Sequence, residues 1–409
     1  MTEDNIYFED IDKDCEEVVE EARSGSLLMK TVTAGLSGSN VGIDTNLPTF
    51  NTYTHGVSKA RYKLIGADSG VGKTTLVDTA YLLEPILYII RLKERIAQYG
   101  LTGLTQREIF TMGKKLKFNY WSFEISKEMK FLKWAVYLLW KLFGIRVSTD
   151  YLAGTGGQGK MASEVWSKLR KVDKIITHIL DEYVTIFDEV ENPTGIYKYL
   201  KQFAENNGKF VREDYKIGLE TKTRIVGYTP KDTNLLVENI FDHLALLSLE
   251  RGFSTKQNMD KLSEYLVYFR NRCGYSSSVV QQFNNNLTSI DRQKLKAASL
   301  CPQRSDFGDS TYTFRDADIV WGLFKPTTYD LEYFQGYKIL PSTPQDKNYL
   351  GDTAIFSHLL KNRYGKSNIV ANLYLDGLVG EFKELPDAKD FNNLMANYGD
   401  YTPEPNDYE

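Results

Sequence analysis

A chain of 409 residues has room for one large domain with insertions or for two domains, and its 42% apolar and 25% charged content is ordinary for a globular protein. With 50 basic against 54 acidic residues it is not a polycation that coats nucleic acid indiscriminately, so any nucleic-acid grip must be local. Three cysteines, Cys15, Cys273 and Cys301, are too few and too scattered for a disulfide framework or a cysteine metal cluster, and they fit a reducing cytosol.

In chain order, the start is acidic and lacks the basic-then-apolar sequence of a signal peptide. Residues 8–22, "FEDIDKDCEEVVEEA", space Ile11, Cys15, Val18, Val19 and Ala22 as one stripe of a helix. After a stretch rich in Gly, Ser, Thr and Asn, apolar strands begin to alternate with helical segments, the pattern of an α/β domain with a mostly parallel sheet. The expected strands are "YKLIGA", "FNYWSFE", "YVTIFD", "NIFDHLALL", "SSVVQQF", "DIVWGLF", "TAIFSHLL" and "IVANLYL". Two stretches read as insertions, 86–116 and the hairpin-like 208–234. The run 131–145, broken by Lys133 and Lys141, is too short for a bilayer and suits a buried amphipathic helix. From 386 to 409 the chain is acidic and carries Pro403 and Pro405, which predicts a mobile tail.

The most specific signal is "GADSGVGKTT" at 66–75, between a strand and a helix. Ala67, Asp68, Ser69, Gly70, Val71, Gly72, Lys73, Thr74 and Thr75 match a phosphate-binding loop, with Ala67 where the strict pattern has its first glycine. Backbone N–H groups and the helix N-terminus would face the phosphates of ATP. Lys73 would neutralise the outer oxygens, and the Thr74 hydroxyl would ligate Mg2+.

Hydrolysis also needs an activated water, a metal ligand and a group that senses the terminal phosphate. Glu124 ends the apolar "FNYWSF" and would project from a strand's carboxyl edge, either as the base for water or as a helix-capping acid. Asp242 is a single acid within an apolar strand, suited to magnesium or to a strand-end salt bridge. Gln282 stands at another strand end, as a phosphate-sensing amide or a solvated side chain.

These motifs, in this order from 35 to 385, resemble the DnaB-type replicative hexameric helicases, which carry a RecA-like ATPase core. "VGIDTNLPTFN" (41–51) is similar to the family's segment before the phosphate loop, with Asn46 in place of glycine. By resemblance, "YWSFEISKEM" gives Glu124 the catalytic role, "IFDHLALL" makes Asp242 the Walker B acid, and "VVQQFNNNL" makes Gln282 the sensor. "SDFGDSTYTFRDADIV" resembles a long family segment and implies DNA contacts at Gly308 and Asp309, although Gly308 and Thr311 replace the usual arginine and glycine. "KNRYGK" (361–366) resembles the basic pair, Lys361 and Arg363, that reaches a neighbouring subunit's nucleotide.

The resemblance implies a RecA-like core over 31–385, a short N-terminal linker helix within 1–30, and no primase-interacting N-terminal domain. It also implies a hexameric ring moving 5′ to 3′ on single-stranded DNA at a fork, with primase, polymerase or a helicase loader as partners. A phage-encoded protein working in a bacterial host's cytoplasm, away from membranes, would suit the short form. Sequence-independent grip calls for phosphate contacts from loops that leave the sheet. Arg251 and Lys256 lie on one such loop; Asn285, Arg292, Lys294 and Lys296 lie on another. A strand-exchange recombinase and a RecA-fold scaffold ATPase without DNA work are the alternatives.

Overall fold

The computed structural model describes residues 27–392 except 39, 156–160, 218–219, 285–286, 288, 295–299, 309–310, 344 and 347. The expected helix at 8–22 and most of the acidic tail therefore lie outside the described residues.

The first strands in the chain are β1 (Tyr62–Ala67), β2 (Lys115–Ser122) and β3 (Val184–Phe187), followed by a hairpin, β4 (Gly208–Ile217) and β5 (Glu220–Pro230). Next come β6 (Leu235–Asp242), β7 (Ser276–Gln282) and β8 (Ile319–Phe324), a short pair β9 (Tyr333–Phe334) and β10 (Tyr337–Lys338), and finally β11 (Ala354–Asn362), β12 (Ile369–Asp376) and β13 (Glu381–Glu384). Nine of them, among the described residues, form one sheet in the order β13-β12-β11-β8-β1-β7-β6-β2-β3. The six from β8 to β3 run parallel, and β11, β12 and β13 extend the sheet antiparallel.

The parallel strands are buried on both faces, which is why they read as unbroken apolar runs. All six residues of β1 are buried. Trp121 of β2 stacks on Phe241 and Phe187 at 4.6 and 4.9 Å, and Trp321 of β8 stacks on Phe50 at 4.2 Å. Polar groups enter this core only in pairs: Lys63 meets Glu238 at 2.9 Å, and Glu238 also accepts from Ser278, tying β1, β6 and β7 together.

Two helices position the site and are bounded by local chemistry. After β1, α1 (Lys73–Leu76) passes through a π-helical segment (Val77–Leu83) into α2 (Glu84–Tyr99), so the front of the expected insertion at 86–116 is a direct continuation that buries Ile86, Ile89 and Leu92. After β2, α3 (Lys127–Phe143) starts at Ser126, whose side chain accepts from the Met129 amide, and stops at left-handed Gly144. This helix is the apolar run at 131–145. Opposite the site, α4 (Thr255–Cys273) opens on a capping box of Ser254 and Gln257 and closes on left-handed Gly274. No helix among the described residues is long and apolar enough to cross a membrane.

Three differences from the sequence reading are instructive. The strand expected through Leu247 ends at Asp242, because β2 pairs with β6 only as far as Ser122–Asp242, and a 3-10 turn (Leu244–Leu246) follows. β13 escaped notice because Glu381, Lys383 and Glu384 make it look polar, although Phe382 is buried. The chain also stays on the core past 386: Phe391 is 1% exposed, packs against Tyr337, and the Tyr337 hydroxyl donates to the Pro386 carbonyl.

Candidate nucleotide site

The loop from Asp68 to Gly72 joins β1 to α1 at the carboxyl ends of the parallel strands, where open α/β sheets place ligands. Gly70 and Gly72 adopt φ of 75° and 96°, which other residues rarely tolerate. Ala67 is not among the left-handed positions, so its methyl group costs nothing there. Upstream, Asn46 has φ of 60°; asparagine tolerates this conformation and so replaces the usual glycine without strain.

Lys73 folds over the loop, donating to the carbonyls of Ala67 at 3.0 Å and Asp68 at 2.6 Å. Burial pulls its pKa below the ordinary lysine value, while the negative charges of Glu124, Asp68 and Asp242 oppose that fall. Thr74 donates its hydroxyl to Asp242 at 2.8 Å, bringing together the two side chains assigned to magnesium. No cluster of three metal-ligating side chains forms among the described residues. A hydroxyl beside one carboxylate suits magnesium, which keeps several waters and leans on nucleotide phosphates, and the glycine-lined loop fits those phosphates.

Behind Asp242 lies a buried ionic cluster that the sequence reading missed. Lys130 of α3 is 0% exposed, and its ammonium lies 3.2 Å from Asp78 and 3.4 Å from Asp242. Tyr120 donates to Asp78 at 2.7 Å, and the Trp134 indole donates to the same carboxylate at 3.2 Å. Burial raises the Asp78 pKa while Lys130 and Tyr120 pull it down, so the acid stays ionised only as part of the cluster. The available signal was a lysine at position 130, four residues before Trp134 on the buried face of an apolar helix.

Glu124 lies two residues beyond the end of β2, exposed in the loop before Ser126, rather than on the strand itself. It lines one cleft with Gly72, Lys73, Thr74 and Gln282, so the residues assigned to phosphate, metal, base and sensor converge. Gln282 is the last residue of β7 and pairs in register with Ala67. The cleft also holds His243 and Lys133, two further residues missed from sequence. For His243 the signal was its place directly after Asp242 in a chain with four histidines.

Arg363 and Lys361 are elsewhere. Arg363 bonds Asp318 at 3.1 Å and the Arg315 carbonyl at 2.9 Å, and Asp318 in turn accepts from the Tyr62 amide. Tyr62 begins β1 and Ala67 ends it, which at 3.3 Å per residue puts the pair about 17 Å from its own phosphate loop. Lys361 donates to the Phe314 and Arg315 carbonyls, and its pKa is pushed down to about 8 by burial and by Arg363.

Of the residues assigned to DNA, Arg251 and Lys256 are exposed between β6 and α4, and Lys294 is exposed after β7. Arg292 is half-buried and engaged by Asp306 at 3.2 Å and the Cys301 carbonyl at 2.7 Å. Gly308 follows Asp306 and Phe307, and a Cβ there would meet Asn284. Asn285, Lys296 and Asp309 lie outside the described residues.

No protein-family model and no curated protein matches the sequence. Solved structures do match in fold. The ATPase domain of one helicase is 18% identical with a TM-score of 0.56, covering 89% of this chain and 100% of that one. A DnaB-like replicative helicase, solved with an account of its interactions with primase, is 17% identical with a TM-score of 0.54, covering 92% of this chain and 68% of that one. The chain thus has the RecA-like P-loop ATPase fold found in these domains.

Proposed function

We propose that the protein is an ATP-hydrolysing replicative DNA helicase, a ring of identical subunits that moves along single-stranded DNA and opens the duplex at a fork. One observation carries the reading. The groups for nucleotide hydrolysis share a cleft at one edge of the sheet, and the basic pair Lys361 and Arg363 stands at the other edge, where only a second copy's nucleotide is within reach. That division of labour requires a closed arrangement of subunits, and the likeness in fold to a DnaB-like replicative helicase supports the same arrangement.

In this mechanism the loop amides and Lys73 hold the triphosphate, and Thr74 with Asp242 holds magnesium. Bound magnesium neutralises charge on the phosphate oxygens. Glu124 orients the attacking water and accepts its proton, Gln282 hydrogen-bonds the terminal phosphate, and the neighbour's Arg363 stabilises the charge that spreads over the transferring group. Arg251, Lys256 and Lys294, repeated around a ring, would line a channel with positive charge and grip DNA phosphates without regard to sequence. Arg292 serves this grip through Asp306, by holding its loop in place. The helix at 8–22 would dock on the adjacent subunit. Primase, polymerase or a loader would engage the assembly in a bacterial cytoplasm, a phage-infected one if the protein is phage-encoded.

The test is ATP hydrolysis with and without single-stranded DNA, followed by strand displacement from a forked oligonucleotide duplex. Stimulated hydrolysis with displacement supports the helicase. Joint-molecule formation would instead indicate a recombinase, and turnover indifferent to DNA a scaffold ATPase.

A further inference from the structure

The last paired residues of β6 and β7 are Phe241 and Val279, so beyond them no backbone ladder joins the two strand tips. One side-chain contact does. His243 is 8% exposed, and its Nε2 lies 3.4 Å from the Gln282 Oε1. Its Nδ1 is buried without a hydrogen-bond partner. An imidazole with an unsatisfied buried nitrogen is poor core filler, because an apolar side chain would fill the space without that penalty. What the residue gains is the bond made by the other nitrogen.

The chemistry of that bond fixes an orientation. A carbonyl oxygen only accepts, so Nε2 must carry the proton, and a neutral ring then leaves Nδ1 as the bare acceptor. The terminal torsion of a glutamine is broad and nearly two-fold, so an exposed Gln282 by itself presents its oxygen or its NH2 to the cleft indifferently. With the oxygen engaged by His243, the NH2 is turned the other way. Gln282 is in register with Ala67, at the root of the phosphate loop.

We propose that His243 is a positioning residue for hydrolysis: it holds the Gln282 amide with its donor face toward the phosphate loop, joining the tip of β6 to the tip of β7. This deepens the ATPase reading and rests on it. Without His243 the nucleotide still binds through Lys73 and the loop amides, and the sensor amide is correctly turned only part of the time.

The experiment measures kcat for MgATP and, by calorimetry, the affinity for MgADP. It uses the wild type, His243→Ala, His243→Phe, His243→Gln, Gln282→Ala and the His243→Ala/Gln282→Ala double variant, each with a thermal melt. Supporting residues of this kind are worth roughly 10- to 100-fold in activity. His243→Ala and His243→Phe should both lose kcat on that scale with ADP affinity held within about twofold, and His243→Gln, which keeps a donor, should recover most of it. The double variant should be no slower than the slower single one. Losses that multiply, an unchanged kcat, or a loss of ADP affinity matching the loss of kcat would overturn the proposal. His243→Phe carries the comparison if the alanine variant melts below assay temperature. Hydrolysis that survives Lys73→Ala overturns the ATPase reading itself, an outcome distinct from an inert His243, and this proposal falls with it.

Discussion

The two edges of the sheet differ in what they have already assembled. At the carboxyl edge, Lys73, Thr74, Asp242, Glu124 and Gln282 meet in one cleft, backed by the buried Lys130 and Asp78. At the opposite edge, Arg363 and Lys361 are partly exposed cations leaning on backbone carbonyls and on Asp318, with no phosphate-binding loop of their own chain in reach. One edge is a nearly complete active site and the other supplies what it lacks. The contrast teaches that catalytic competence here is a property of an interface.

The strongest way to break that comparison is at the cleft. Lys73→Ala removes a charge-assisted phosphate contact from a partly desolvated site. Hydrolysis should fall below detection in a phosphate-release assay, and near-normal turnover would remove the loop from the mechanism.

The opposite edge is tested by Arg363→Ala. Arginines that act across an interface are worth ~10³ to 10⁵ in turnover, so this variant should bind nucleotide but barely hydrolyse it. Glu124→Gln should be slow by ~10² or more, since an amide cannot accept the water's proton. Mixing the two inactive proteins sharpens the comparison, because some interfaces would then pair an intact Glu124 edge with an intact Arg363 edge. Recovered hydrolysis in verified mixed rings is the expected outcome; none at any ratio would place Arg363 in its own subunit's structure only.

Lys130→Met should act through stability first. Removing the cation strands two buried carboxylates, Asp78 and Asp242, and breaking such a pair costs about 3–5 kcal/mol. Chemical denaturation should show this loss, and adding Asp78→Asn should return part of it. An unchanged midpoint would mean the cluster is not coupled to folding.

The smallest effect is a pH limb. The Lys361 pKa is lowered to about 8, by burial and Arg363 against the attraction of Asp318 and Asp316. Its folded state therefore sheds a proton between about pH 8 and the ordinary lysine range, so this group's contribution to stability rises with pH across that window while its charge is lost. If the charge serves hydrolysis, kcat/KM should decline above about pH 8, and Lys361→Arg should move the decline upward.

Much of the carboxyl edge was legible in the sequence. Glycines that need left-handed backbone, a lysine and threonine at a helix start, and single acids or amides at the ends of apolar runs are local signals, and β1, β6 and β7 place them as their chemistry predicts. Lys130, Asp78 and His243 were not legible. Each takes its meaning from a partner 39 to 112 residues away, and no spacing along the chain announces such a pairing.

The sequence by itself determined the strand–loop–helix at 62–76, the alternation of parallel strands and helices, and the identity of the hydrolytic groups, because backbone conformation and residue chemistry are local properties. Only the tertiary structure decided three other things: that Arg292 is held by Asp306, that Phe391 is part of the core, and that Arg363 stands a strand's length from its own nucleotide loop. Those depend on strand order. With β8 parallel to β1 and β11 antiparallel to β8, the end of β11 falls at the edge where β1 begins, and a residue close to the site in role is placed far from it in space.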